Sequence, residues 1–181
     1  MGGDAVLTTD PCAVDGADAV VLPGVGAFGR CIEALRDSGL EGAALGAIAR
    51  GKPFLGICVG MQMLYDGSEE DPGARGLGVL AGCVRLLPAD VKRPQMQWNQ
   101  IDRVVAGSPM FDGLPDPAWV YFVHSYAPEP SADVVATCDY GGPVVAAVQR
   151  GRLWATQFHP EKSGVSGLRI LENFVRSVPG D

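Results

Sequence analysis

"PFLGICVGMQML", residues 53–64, carries an apolar run into a glycine, then a cysteine, then a second glycine. The run "PFLGI" suits a strand covered on both faces, and "MQMLYD" after it suits a helix. Between them Gly56-Ile57-Cys58-Val59-Gly60 reads G-x-C-x-G, the cysteine counterpart of the G-x-S-x-G nucleophile elbow. A nucleophile on a sharp strand-to-helix turn takes strained backbone angles, so the residues two positions away must be small. The helix that follows aims its N-terminal dipole and free N–H groups at the sulfur, which lowers a thiol pKa. The same five residues also suit a buried thiol in a glycine-rich turn, and alone they favour neither reading.

Outward from this stretch, further apolar runs predict strands at 5–8 ("AVLT"), 18–22, 82–87, 119–123, 133–138, 144–149 and 153–158. Helical spacing predicts helices over 27–37, 40–50, 59–66 and 164–177. In the last of these Leu168, Leu171, Val175 and Val178 form the expected apolar stripe. The stretches 66–78 and 88–100 read as loops. Strands alternating with helices, then a hairpin-rich second half, predict an α/β sandwich around a mostly parallel central sheet, with one domain over residues 1–181.

Composition narrows the functions open to such a fold. The 181 residues carry 14 basic and 21 acidic side chains, a net charge of −7, which argues against nucleic acid or an anionic membrane as the main partner. No apolar run approaches the roughly 18 residues of a membrane span, and "MGGDAVLTTD" lacks the features of a signal peptide, so a cytosolic chain is expected. Five cysteines without a CxxC pair suggest neither a disulfide framework nor a zinc site, and no metal or cofactor is expected.

A cysteine nucleophile needs a base, and there are only two histidines, His124 and His159. His159 ends an apolar strand in "TQFHPE", where Glu161, two residues on, can share its face and orient it. Taken alone, a surface histidine beside a solvated glutamate is the plainer reading of these residues, and a structural role is expected for His124. "PGVGAFG", residues 23–29, follows the strand "DAVVL" and leaves backbone N–H groups free at its end. Such a loop serves either as an oxyanion hole or as a phosphate cradle. All three pieces lie at C-terminal ends of predicted strands, where open α/β sheets place their sites.

"LPGVGAFG", "GICVGMQML", "WNQI", "YFVHSY" and "ATQFHPEKSG", in this order, resemble class I (triad-type) glutamine amidotransferases. More narrowly the chain is similar to the glutaminase (HisH-type) subunits of imidazole glycerol phosphate synthase. The resemblance implies a flavodoxin-like three-layer sandwich in which Cys58, His159 and Glu161 form the catalytic triad. It implies that Gly24, Val25, Gly26 and Val59 make the oxyanion hole, and that Gln62 with the backbone of Ser125 and Tyr126 holds the glutamine substrate. It also implies a heterodimer with a HisF-type (β/α)₈ cyclase, met by Trp98, Asn99 and Lys162. Subunits serving pyridoxal phosphate synthesis, or a degenerate non-catalytic interaction subunit, are the alternatives.

The sequence departs from the family pattern twice. The family opens with a strand ending "DYGxGN" and a helix. Here "GGDAVLTTDP" matches the family's second strand, so a sheet with unpaired neighbours and low stability is expected. Gln95 and Gln97 stand where the family has histidine and glycine, which is expected to affect the partner contact.

Overall fold

The computed structural model describes residues 2–179. An exposed stretch leads into α1 (Pro11–Gly16), whose first turn is capped by the Asp10 carboxylate accepting from the Cys12 amide at 2.9 Å. Then come β1 (Val20–Gly24), α2 (Phe28–Asp37), α3 (Leu40–Ala49), β2 (Phe54–Cys58) and α4 (Val59–Gln62). The second half holds β3 (Gly67–Ser68), β4 (Asp71–Arg75), β5 (Cys83–Leu86), β6 (Gln95–Arg103), β7 (Ala118–His124) and β8 (Tyr126–Pro128). It closes with β9 (Val134–Asp139), β10 (Pro143–Arg150), β11 (Leu153–Thr156) and α5 (Gly164–Arg176).

Seven strands form the central sheet in the order β1-β2-β11-β10-β9-β6-β7. β1, β2 and β11 run parallel, and antiparallel pairings continue the sheet from β10 to β7. Every residue of β2 is buried, which explains its uninterrupted apolar run. Its side chains alternate between two cores. Leu55 and Ile57 pack with Phe28, Ile32, Ile170 and Phe174 from α2 and α5, whereas Phe54 packs with Ala44 and Ala47 of α3 and with Leu64 and Val84. The second core also supports a small sheet, β4-β3-β5-β8. The expected α/β sandwich is thus built, with its parallel pairings concentrated around β2. No helix among the described residues is long and apolar enough to cross a membrane.

Four local expectations are corrected. Residues 5–8 form no strand: Val6 and Leu7 are 77 % and 98 % exposed, and no neighbouring strand takes their N–H and C=O groups. Among the described residues β1 pairs with β2 alone, so its other edge is open. The helix after Cys58 ends at Gln62 rather than running to 66, because the amides of Leu77, Val79 and Leu80 bond the carbonyls of Met63 and Leu64. Residues 95–103, expected to be largely loop, form the longest strand in the sheet, paired along β7. In α5 the buried face is Ser166, Gly167, Ile170, Asn173 and Phe174, while Leu168 is 53 % exposed. Gly167 fits tightly over the Pro160 carbonyl, and Asn173 donates to the carbonyls of Met110 and Asp112, which together turn that face inward.

Candidate active site

The parallel strands β1, β2 and β11 end at the same edge of the sheet, and two antiparallel reversals through β10 and β9, then two more through β6, bring the end of β7 there as well. A cavity of about 290 Å³ opens at that edge. Among its walls are Val25 and Gly26 after β1, Cys58 and Val59 after β2, His159 and Lys162 after β11, and Ser125 and Tyr126 after β7. Gln62 completes this group of expected residues.

Cys58 sits at φ 54° and ψ −112°, the only non-glycine residue with positive φ among those described. A side chain there is strained by roughly 1–3 kcal/mol, and strain of this kind persists only where the surroundings impose it. Here they do. A Cβ on Gly56 would lie 3.1 Å from the Gly60 carbonyl oxygen, and one on Gly60 would fall onto the Leu22 carbonyl oxygen. Gly24 is not part of the cavity wall. It lies against the elbow, where a Cβ would meet the Gly60 amide at 2.9 Å. Burial pushes the Cys58 thiol up to about 11, opposed by the Val59 N–H and by Lys162 and reinforced by the Glu161 carboxylate.

His159 is 3 % exposed. Its Nδ1 lies 2.7 Å from Glu161 Oε1, and because a carboxylate accepts, the hydrogen resides on Nδ1. Nε2 is buried, without a hydrogen-bond partner. The turn carrying this pair is pinned by Ser163. Its hydroxyl donates to the His159 carbonyl at 2.6 Å and accepts from the Tyr121 amide at 2.9 Å, while the His159 amide donates to the Tyr121 carbonyl at 3.0 Å.

Sequence reasoning missed three contributors. Ser163 is one. The second is Glu70, the only carboxylate in the cavity wall among the described residues, whose Oε2 accepts from the Phe28 amide at 2.8 Å. The third is Gln157, fully buried between Gln62 and Cys58. His124 is buried too, and its Nδ1 donates to the Tyr126 carbonyl at 2.8 Å, holding the β7–β8 corner. Burial pushes this imidazole down to about 4. Gln95, opposite His124 across the β6–β7 ladder, is buried, whereas Gln97 is exposed. The departure at 95 therefore bears on the interior behind the cavity rather than on the outer surface.

Trp98 and Asn99 lie outside the cavity, on successive and hence opposite faces of β6. Asn99 donates to the Asp139 carbonyl, while Trp98, about half exposed, stacks edge-on against Tyr121 at 6.2 Å. The ladder sets Met96 opposite Val123, Trp98 opposite Tyr121, and Gln100 opposite Trp119. Met96, Trp98 and Trp119 thus form an exposed apolar face beside the cavity, with Val165 and Leu168 of α5 also exposed.

The family model for class I glutamine amidotransferases matches residues 5–178. The chain belongs to the class I glutamine amidotransferases. Curated relatives in the family include "Imidazole glycerol phosphate synthase subunit HisH" of Methanothermobacter thermautotrophicus, 49 % identical over 98 % of this chain and 88 % of the relative. The protein of the same name from Thermococcus kodakarensis is 50 % identical, covering 97 % and 90 %. Among solved structures, a glutamine amidotransferase superposes with a TM-score of 0.69 at 22 % identity, over 96 % of this chain and 88 % of the other. That likeness shows that the amidotransferase fold is shared.

The buried titratable groups set a pH window for stability. His124 is held at about 4 against an ordinary 6.5, so below 6.5 the unfolded chain takes up a proton that the native chain refuses, and stability falls as pH drops. Cys58 and Cys138 are held at about 11 against 9.0, so above 9 the unfolded chain releases protons that the native chain keeps, and stability falls as pH rises. The urea midpoint should be flat between these limits and decline on both sides. A midpoint still rising from pH 9 to pH 10.5 would contradict the alkaline limb.

Proposed function

We propose that this chain is the glutaminase subunit of an imidazole glycerol phosphate synthase in histidine biosynthesis, with Cys58, His159 and Glu161 as its triad. The observation that carries the reading is a strained cysteine elbow sharing one cavity with an imidazole whose tautomer a carboxylate fixes. His159 Nε2 takes the thiol proton as Cys58 Sγ attacks the side-chain amide carbon of glutamine. The developing oxyanion meets backbone N–H groups of the Val25–Gly26 loop and of Val59. His159 then protonates the departing ammonia, and water cleaves the glutamyl thioester to release glutamate.

Gln62 and the backbone at Ser125 and Tyr126 are assigned to the amino-acid end of the substrate, and Glu70 to its α-ammonium group. Glu70 is suited to that role because a lone carboxylate in the cavity wall complements a lone cation. The partner is a HisF-type (β/α)₈ cyclase that receives the ammonia and makes imidazole glycerol phosphate. The apolar face around Trp98 beside the cavity, with Lys162 in the wall between, suits a permanent partner. Its location is the cytoplasm, and residues 1–181 act as one domain.

The test is glutamate release from glutamine by this chain mixed with a cyclase subunit. Formation of the complex without glutamate release would overturn the reading. In the same assay Glu70→Gln should raise KM for glutamine by about tenfold or more, the worth of a charge-assisted hydrogen bond, with a smaller change in kcat.

A further inference from the structure

We infer that Gln157 is a further catalytic residue of the proposed glutaminase, its side-chain amide donating a hydrogen bond to the Cys58 sulfur and holding the thiolate that His159 generates. The inference rests on that functional reading for its chemistry, but its geometry stands alone. Gln157 is fully buried one residue past β11, and its Nε2 lies 3.7 Å from Cys58 Sγ.

The amide could in principle be turned either way, with nitrogen or oxygen toward the sulfur. A chain of hydrogen bonds that starts from an obligate acceptor decides which. The Tyr126 carbonyl can only accept, so the Gln62 atom 3.0 Å from it is the NH₂ group. That same nitrogen lies 3.0 Å from Gln157, so the Gln157 atom facing it is the acceptor oxygen. The Gln157 NH₂ group is then left facing the sulfur. The Tyr126 carbonyl is itself held by His124 Nδ1–H from the other side. The orientation at the nucleophile is therefore set by a backbone atom two amides away.

The consequence follows the charge on sulfur. When the S–H proton passes to His159 Nε2, the electron pair stays on sulfur, and an N–H donor in a buried site favours that anion over the neutral thiol. When the S–C bond to glutamine forms, the charge moves to the substrate oxygen and the sulfur becomes a poor acceptor. Gln157 therefore stabilises the thiolate state in particular, and the Gln62–Gln157 pair links the substrate-facing wall to the nucleophile.

The test compares wild type with Gln157→Met, which keeps the length but neither donor nor acceptor, and Gln157→Glu, which keeps the shape and puts a carboxylate at the sulfur. Iodoacetamide labelling of the Cys58 peptide is followed by mass spectrometry across pH, with exposed Cys12 as internal reference. Losing a donor to an anion lowers the thiolate fraction by about ten- to hundredfold, part of which the higher intrinsic nucleophilicity returns. Labelling at pH 8 should fall about three- to tenfold in Gln157→Met and further in Gln157→Glu, with the profile moved to higher pH. In the complex, kcat for glutamine should fall about ten- to hundredfold.

Wild-type labelling profiles in folded Gln157→Met and Gln157→Glu would overturn the inference, whatever the activities. If Gln157→Met does not fold, the isosteric Gln157→Glu decides alone. A shifted labelling profile in a system where wild type releases no glutamate would leave the amide–sulfur contact standing and reject the glutaminase reading instead.

Discussion

Cys58→Ala, combined with a cyclase subunit, should lose glutamine-dependent synthesis by about 10⁴-fold or more while keeping synthesis driven by added ammonia. The size follows from removing the atom proposed to form the covalent intermediate, since the remaining groups of such a site act only through it. The selectivity follows from where the residue sits. Cys58 is 4 % exposed, at the inner end of its cavity, while the apolar face around Trp98 lies on β6 and β7. Truncating one buried thiol leaves that face intact, so the complex should form and the partner's own chemistry should proceed. Equal loss of both activities would mean that Cys58 holds the assembly together rather than attacking glutamine.

The second large effect is on stability. Gly60→Ala should lower the melting temperature by about 6–12 °C. The added methyl would land on the Leu22 carbonyl oxygen, with the Leu22 carbonyl carbon 2.9 Å and the Pro23 carbonyl carbon 3.3 Å away. These atoms belong to β1, which is hydrogen-bonded to β2 through the register Leu22↔Gly56 and Gly24↔Cys58. No side-chain rotation relieves the contact, so the strands must separate or the elbow must open. Overpacking of this kind costs about 3 kcal/mol, and each kcal/mol moves the midpoint by about 2–4 °C in a chain of this size. A melting temperature within about 1 °C of wild type would show that the elbow is looser than its contacts indicate.

What the sequence disclosed and what it hid divide along physical lines. The elbow was legible because its demands are local: small residues at 56 and 60 around a cysteine, with an apolar strand before it. His159 and Glu161 were legible because they are two residues apart across a proline. Glu70 and Gln157 were not, because their partners, Phe28 and Cys58, lie 42 and 99 positions away in the chain. No spacing rule connects such residues; the pairing of β2 with β11 brings Gln157 to Cys58, and the packing of α2 against β4 brings Glu70 to Phe28. β6 was hidden for a different reason. Its alternation is inverted, with Gln95 buried and Met96 and Trp98 exposed, so a search for apolar residues facing a core finds no strand there. The stretch 5–8 has strand-like composition, but composition supplies no partner for its backbone.

The hydrogen bonds around Ser163 close a ring: His159 amide to Tyr121 carbonyl, Tyr121 amide to the Ser163 hydroxyl, and that hydroxyl to the His159 carbonyl. Tyr121 is also the residue on which Trp98 rests. The ring joins the β6–β7 ribbon to the imidazole-bearing turn, with the aromatic pair at one end and His159 at the other. Parting the ribbon from the turn that carries His159 would break three hydrogen bonds of 2.6, 2.9 and 3.0 Å. The seating of His159 is thereby tied to the strand whose outer face carries the aromatic pair.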